Sequence, residues 1–408
     1  MISRHLVIVA LLLFTIPRDS IANPEFYFKP KVSTRAAYDN NPRSRVESPG
    51  EVAITTNEAE VNASYTRPTY RVAVTPRVRI SRFTEETELD SEDYFAAVEA
   101  SKVSERHQFF GQFDFERENS IFTEQTDSGL FNVNLPRTTF ALNGTWQYSL
   151  SDRTTLSMSG NILDASFEED PRSTFIDYLQ YGAGPSLRYS VSDVTTLTAS
   201  YNISKFKTPS IGSETLSHAV RLGFERQITE SLFASFSLGH NRSELEFKSS
   251  QGQIIPGPPP QFVTTVVDSS SRSSGEIIEL AVDKQFEKID ARFEWSRAFS
   301  PSSQGSRQQT EIVRGSGRYR ITQFVDFSFL GSYRQRAQEG DVSVGRPLSA
   351  LDTILFRGAL GWRFSRTMRA EVGLQYQEQR RSVQGTKAVS ERIFLSLRYT
   401  PNELRYAP

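Results

Sequence analysis

A chain of 408 residues is long enough for two or three soluble domains, but it holds no cysteine, which excludes a disulfide frame, a thiolate nucleophile and a zinc–thiolate site. A formal net charge of −1 argues against a dedicated nucleic-acid binder. Hydrophobic content is only 37%, yet there are 29 Phe and 15 Tyr, a balance that suits strands with alternate residues in lipid and aromatics at the membrane interfaces.

The chain opens with Arg4 and His5, then an unbroken apolar run from Leu6 to Ile16. Ser20-Ile21-Ala22 sets small residues at the −3 and −1 positions of a cleavage site. This pattern predicts a secretory signal peptide over residues 1–22, cut after Ala22 and too short to span as a helix. No later apolar run reaches about 18 residues, so residues 23–408 are expected to be exported whole.

From there the period is two, that of strands. The first strand is expected at Phe26–Tyr38, the second at Glu58–Thr66 and the third at Tyr70–Phe83, where Val72, Val74, Val78 and Ile80 alternate with Arg71, Thr75, Arg77 and Arg79. Tyr94–Glu105 is a fourth with poor alternation, and His107–Phe122 a fifth with Phe109, Phe113 and Phe115 on one face. Two hairpins between Thr138 and Lys205 supply the next four. In the first of them Phe140, Leu142, Trp146 and Tyr148 share a face, opposite Thr139, Asn143, Thr145 and Gln147.

Nine more follow: Glu214–Ile228, Leu232–Phe247, Gly275–Phe286, Ile289–Phe299, Thr310–Ile321, Val325–Arg336, Thr353–Phe364, Met368–Arg380 and Val389–Tyr399. The total, about 18, is even, and most strands exceed the usual five to six residues of a soluble sandwich. Connections after even-numbered strands are tight, whereas most after odd-numbered ones are longer. Short periplasmic turns and longer outside loops are the habit of outer-membrane barrels, and a sandwich has no reason to sort loops by parity. The expected fold is therefore all-β: a transmembrane, antiparallel, up-and-down barrel with its mature N-terminus in the periplasm. The long stretch Lys248–Ser274, with Pro256-Gly-Pro-Pro-Pro260, is expected to be a loop, either solvated outside or folded into the pore mouth.

No nucleophile motif adjoins His107, His218 or His240, no metal-ligand cluster is spelled, and no nucleotide-binding glycine motif is present. No enzyme activity and no cofactor are expected. The residues that alternate with the apolar ones are more telling. Arg77, Arg79, Arg221, Arg292, Arg314, Arg318, Arg320, Arg357, Arg363 and Arg369 fall on the non-apolar face and are expected to line the interior, with Arg71 and Arg398. Glu225, Glu294 and Glu371 are the carboxylates this reading places there on later strands. Two outcomes stay open: a wall neutralised by cross-strand pairs, or a positively biased conduit for anions.

Two motifs carry a family resemblance. Thr34-Arg-Ala-Ala-Tyr-Asp-Asn-Asn-Pro42 ends the first strand, and Tyr-Ser-x-Ser-Asp-x-Thr-Thr-Leu recurs at Tyr148–Leu156 and Tyr189–Leu197. Both resemble outer-membrane β-barrel porins of exopolysaccharide and exosortase-associated operons. The resemblance implies outer-membrane lipid as surroundings and a role in exporting an extracellular polysaccharide, with an anionic polysaccharide and periplasmic export components as partners. A general diffusion or nutrient porin and a non-conducting structural barrel are the alternatives. The family implies no catalytic residues. Such barrels usually end on an aromatic residue; here Pro401–Pro408 runs on past Tyr399, so either Tyr399 or Tyr406 closes the last strand.

Overall fold

The structure is a computed structural model, and it describes residues 25–48, 50–120, 123, 134–171, 173–255, 261–301, 307–338, 351–381 and 385–406. The expected signal peptide and its cleavage site lie outside the described residues.

Every alternating segment forms a strand, in the order β1 (Glu25–Asp39), β2 (Val52–Arg67), β3 (Tyr70–Phe83), β4 (Ser91–Val103), β5 (His107–Asn119) and β6 (Pro136–Ser151). Next come β7 (Thr154–Phe167), β8 (Tyr178–Ser192), β9 (Thr195–Thr208), β10 (Ser213–Thr229), β11 (Leu232–Ile255) and β12 (Gln261–Gln285). The chain finishes with β13 (Ile289–Pro301), β14 (Arg307–Arg320), β15 (Val325–Gln338), β16 (Leu351–Arg363), β17 (Met368–Arg381), β18 (Thr386–Tyr399) and the short β19 (Leu404–Tyr406).

From β1 to β18 each strand pairs antiparallel with its sequence neighbours, and β1 closes the cylinder against β18 and β19. The result is a closed antiparallel barrel of eighteen strand positions, because β19 continues β18 along the same edge of β1. Tyr399 lies opposite Val32, and Tyr406 opposite Phe26. The intervening chain holds one residue more than its partner does. That bulge shifts the parity, so Tyr399 and Tyr406 face the same side. Both aromatic ends are therefore in the sheet.

Closure sends one face of every strand inward. The register carries that face round the barrel unbroken, and it buries Phe83, Phe95, Tyr178, Phe206 and Phe394. The opposite face exposes Phe28, Leu222, Leu238, Phe356, Leu374 and Leu395. Apolar side chains thus point outward, the inverse of a water-soluble fold.

The two ends differ. At one, turns such as residues 68–69, 152–153 and 193–194 are tight, and the outward aromatics run up to them. Phe26 meets Tyr65 at 5.0 Å between ring centroids, and Trp362 meets Phe364 at 5.4 Å. His107 lies among Phe109, Trp146 and Tyr148 on this belt, and the Trp146 indole N–H donates to its Nδ1 at 3.2 Å. At the other end the outward face turns charged. Arg272 bonds Glu244 at 2.9 Å, Arg297 bonds Glu311 at 2.7 Å, and Glu378 is held by Lys387 at 2.8 Å and by Arg380.

Two connections at that end are welded together. Arg43, in the β1–β2 connection, reaches Glu86 at 2.5 Å and Glu88 at 2.9 Å in the β3–β4 connection. Leu89, fully buried, packs among Val52, Ile54 and Phe83 of the inner face. These inward anchors explain why β2 starts at Val52, earlier than alternation alone indicates.

The expected loop Lys248–Ser274 is corrected. The backbone stays paired as far as Ile255 opposite Gln261, so β11 and β12 form a long two-stranded ribbon. The prolines that argued for a loop are confined to residues 256–260, which lie outside the described residues. On either side a hairpin partner is in register and nothing breaks the ladder.

Candidate functional site: the barrel interior

All ten arginines singled out from the sequence lie on the inward face of their strands, and most lie close to a carboxylate. Arg79 bonds Asp93 at 2.9 Å and Glu118 at 2.8 Å. Asp93 is fully buried and also accepts the Asn119 backbone N–H at 3.0 Å. Arg77 lies 3.9 Å from Glu58 and stacks on Phe95, 3.9 Å from its centroid. Arg221 bonds Glu279 at 2.8 Å. Arg292 sits between Asp283 at 3.2 Å and Glu294 at 2.7 Å, with Arg314 3.8 Å from Glu294. Arg320 bonds Asp290 at 2.6 Å, and Arg357 bonds Glu371 at 2.9 Å. Arg369 grips Asp326 with both prongs of its fork, at 2.7 and 2.8 Å, and Arg318 approaches the same carboxylate at 3.9 Å. Arg363 is exposed, and no carboxylate partners it among the described residues.

On the later strands four of these partners, Glu279, Asp283, Asp290 and Asp326, are absent from the carboxylates that the sequence reading placed on the inward face. Counting parity along β12 finds Glu279 and Asp283. Glu279 and Asp283 share parity with Ala281 and oppose Ile278, Leu280 and Val282. Asp290 and Asp326 each stand one residue past an outward apolar residue that opens a strand, where turn and strand chemistry overlap.

The interior is divided by sector. On β4 and β5 the inward face is acidic, with Glu99, Asp114, Glu116 and Glu118. From β6 to β11 it is largely hydroxyl and amide: Asn143, Gln147, Asn161, Ser200, Asn202 and Ser237 are typical. Its Arg188 is paired with Glu225 at 2.5 Å. From β14 round to β1 arginine dominates, with Arg35, Arg392 and Arg398 adding to the residues above. Arg392 is bound to the buried Asp39 at 2.7 Å.

The other candidate chemistry does not assemble. His107 lies in the outward aromatic belt, and His218 meets the Tyr201 hydroxyl at 2.6 Å on the outward face. His240 also faces outward on β11, opposite Val220. Among the described residues no three His, Cys, Asp or Glu side chains converge as a metal site would require.

No protein-family model matches the chain, and no curated protein matches its sequence. Solved structures that it resembles include the outer-membrane protein OpdK of Pseudomonas aeruginosa, 11% identical, with 93% of this chain and 99% of that one covered at a TM-score of 0.46. The outer-membrane channel DcaP of Acinetobacter baumannii is 12% identical over 94% of this chain and 99% of its own, with a TM-score of 0.44. The ferric-catecholate import receptor Fiu of E. coli K12 is 7% identical over 91% and 81%, with a TM-score of 0.46. Likenesses at this level assign neither family nor function.

Proposed function

We propose that the protein is an outer-membrane β-barrel conduit for export of an extracellular polysaccharide. The membrane placement is supported by the outward apolar face, since closing a sheet removes its edges and leaves every backbone group paired inside lipid. The tight-turn end, with its aromatic belt, is the periplasmic side; the end with charged outward residues and longer connections faces outside. Export begins with removal of residues 1–22, and the mature chain is expected to start at Asn23.

The observation that carries the substrate class is the sectored interior. A hydroxyl and amide wall gives sugar hydroxyls donors and acceptors without strong charge. The arginine wall beside it attracts the carboxylates of acidic sugars. A conduit lined this way passes a hydrated polymer without holding it hard at any one place. The reading is tested by reconstituting the full-length protein in planar bilayers and adding oligosaccharides of rising length. Export chemistry predicts transient current blocks that lengthen with chain length, and more for uronate oligomers than for neutral ones. A small-solute porin would pass monosaccharides and show no length-dependent blocks. A barrel that inserts but never conducts would be structural.

A further inference from the structure

Arg363, Arg369 and Arg398 stand side by side across β16, β17 and β18. Arg363 is the direct ladder partner of Arg369, and Arg369 of Arg398. Like charges directly opposite each other destabilise a strand pair. Only the middle one is neutralised, through Asp326. Arg363 and Arg398 are exposed, and neither has an ion pair among the described residues. On β1, Arg35 faces the same side opposite Ser396, two residues from Arg398 along β18. It makes no direct ion pair among the described residues, although Glu371 and Glu58 act on it from further off. Its guanidinium lies 5.1 Å from the centroid of Phe394, a ring that it shares with Arg357 at 4.6 Å.

Beneath Arg35 and Arg369 the wall is built for guanidinium groups. A Cβ on Gly373 would fall 2.5 Å from the Phe394 ring, and one on Gly361 would fall 2.2 Å from the Arg369 guanidinium. Both groups pack closely against backbone because these two positions carry no side chain. Phe394 is only 3% exposed, so it acts as a bed for guanidinium groups and not as a sugar-stacking platform. A stacked guanidinium loses little further freedom when its N–H edge meets a carboxylate.

We propose that Arg35, Arg363 and Arg398 form a binding site for the carboxylates of an acidic oligosaccharide at the tight-turn mouth of the barrel. The site rests on the conduit reading, since the substrate must reach the interior. Arg363 and Arg398 are two strand spacings apart, on the order of 10 Å. That separation lets them take carboxylates on different sugars of one chain. A tetramer engages both at once, whereas a monomer engages one, so affinity rises with length.

The test is calorimetric titration of the full-length protein in detergent micelles with tetragalacturonate, galacturonate and maltotetraose. Tetragalacturonate should bind at least tenfold more tightly than galacturonate or maltotetraose, and more weakly as salt rises. The triple variant Arg35→Gln, Arg363→Gln, Arg398→Gln should lose that tenfold preference, while Arg226→Gln, on the outward face, should retain it. Equal binding of tetragalacturonate and maltotetraose by the parent protein would overturn the site, and so would a folded triple variant that binds like the parent. The comparison of ligands on the parent alone decides the matter if the variant does not fold. Conductance in potassium chloride separates the two readings. A conducting barrel without uronate preference refutes this site and leaves the conduit standing, whereas a barrel that never conducts removes the conduit reading on which the site rests.

Discussion

Leu238 and Ser237 are neighbours on β11 that face opposite media. Leu238 is half exposed on the apolar face, and the Ser237 hydroxyl donates to Glu279 inside at 3.2 Å. Leu238→Arg should therefore destabilise the folded barrel by about 2–4 kcal/mol if the site lies near mid-membrane. Ser237→Arg, beside Glu279, should cost far less. Denaturant unfolding of the two variants in lipid vesicles makes the comparison, and equal costs would mean that the faces are misassigned. A second residue-scale prediction concerns Arg369. Replacing it with Gln leaves Asp326, mostly buried, without its two-pronged partner, at a cost of about 1–3 kcal/mol. Asp326→Asn in the same chain should recover part of that loss, because no uncompensated charge then remains. Thermal unfolding of the single and double variants reads the difference; an additive loss would contradict the pairing. The positions of the arginines follow strand parity, each beside an outward residue such as Val78, Phe293 or Phe356. Their partners Asp290 and Asp326 were not legible in this way, because a carboxylate beside a turn fits a solvated turn as readily as an inward strand position.

At the scale of elements, alternation located the strands, and tight turns such as Ser192–Asp193 located the hairpins. What alternation does not set is where a strand stops. The β11–β12 ribbon contains Ser-rich sequence from Asp268 to Ser274, without apolar periodicity, and it stays paired because its partner strand is in register. β2 similarly begins at Val52 because Leu89, from another connection, packs on that start. The ribbon bears on topology. Ser270→Cys, on the exposed part of β12, should react on intact cells with a thiol reagent that cannot cross the outer membrane. Ser192→Cys, at the tight turn, should react only after the cells are broken. The reverse pattern would invert the barrel in the membrane.

For the whole molecule, the chain length alone suggests several domains, whereas most of the described residues lie in the eighteen strand positions of a single cylinder. Even strand number and loop lengths sorted by parity carry the barrel conclusion from the sequence alone. The division of the interior into acidic, hydroxyl-rich and arginine-rich sectors was only partly legible. It depends on which strands become neighbours across the closure of β1 on β18 and on which carboxylates face inward. Arg318 and Arg320 remain more than half exposed despite nearby Asp326 and Asp290, so their fields are screened only in part. The measurement that tests the account most directly is the reversal potential of the reconstituted channel in a salt gradient. An arginine-lined conduit predicts a value on the anion side, moving toward zero when Arg314, Arg318 and Arg320 are changed to Gln. A cation-side potential in the unmodified protein, or insertion without any conductance, would contradict it.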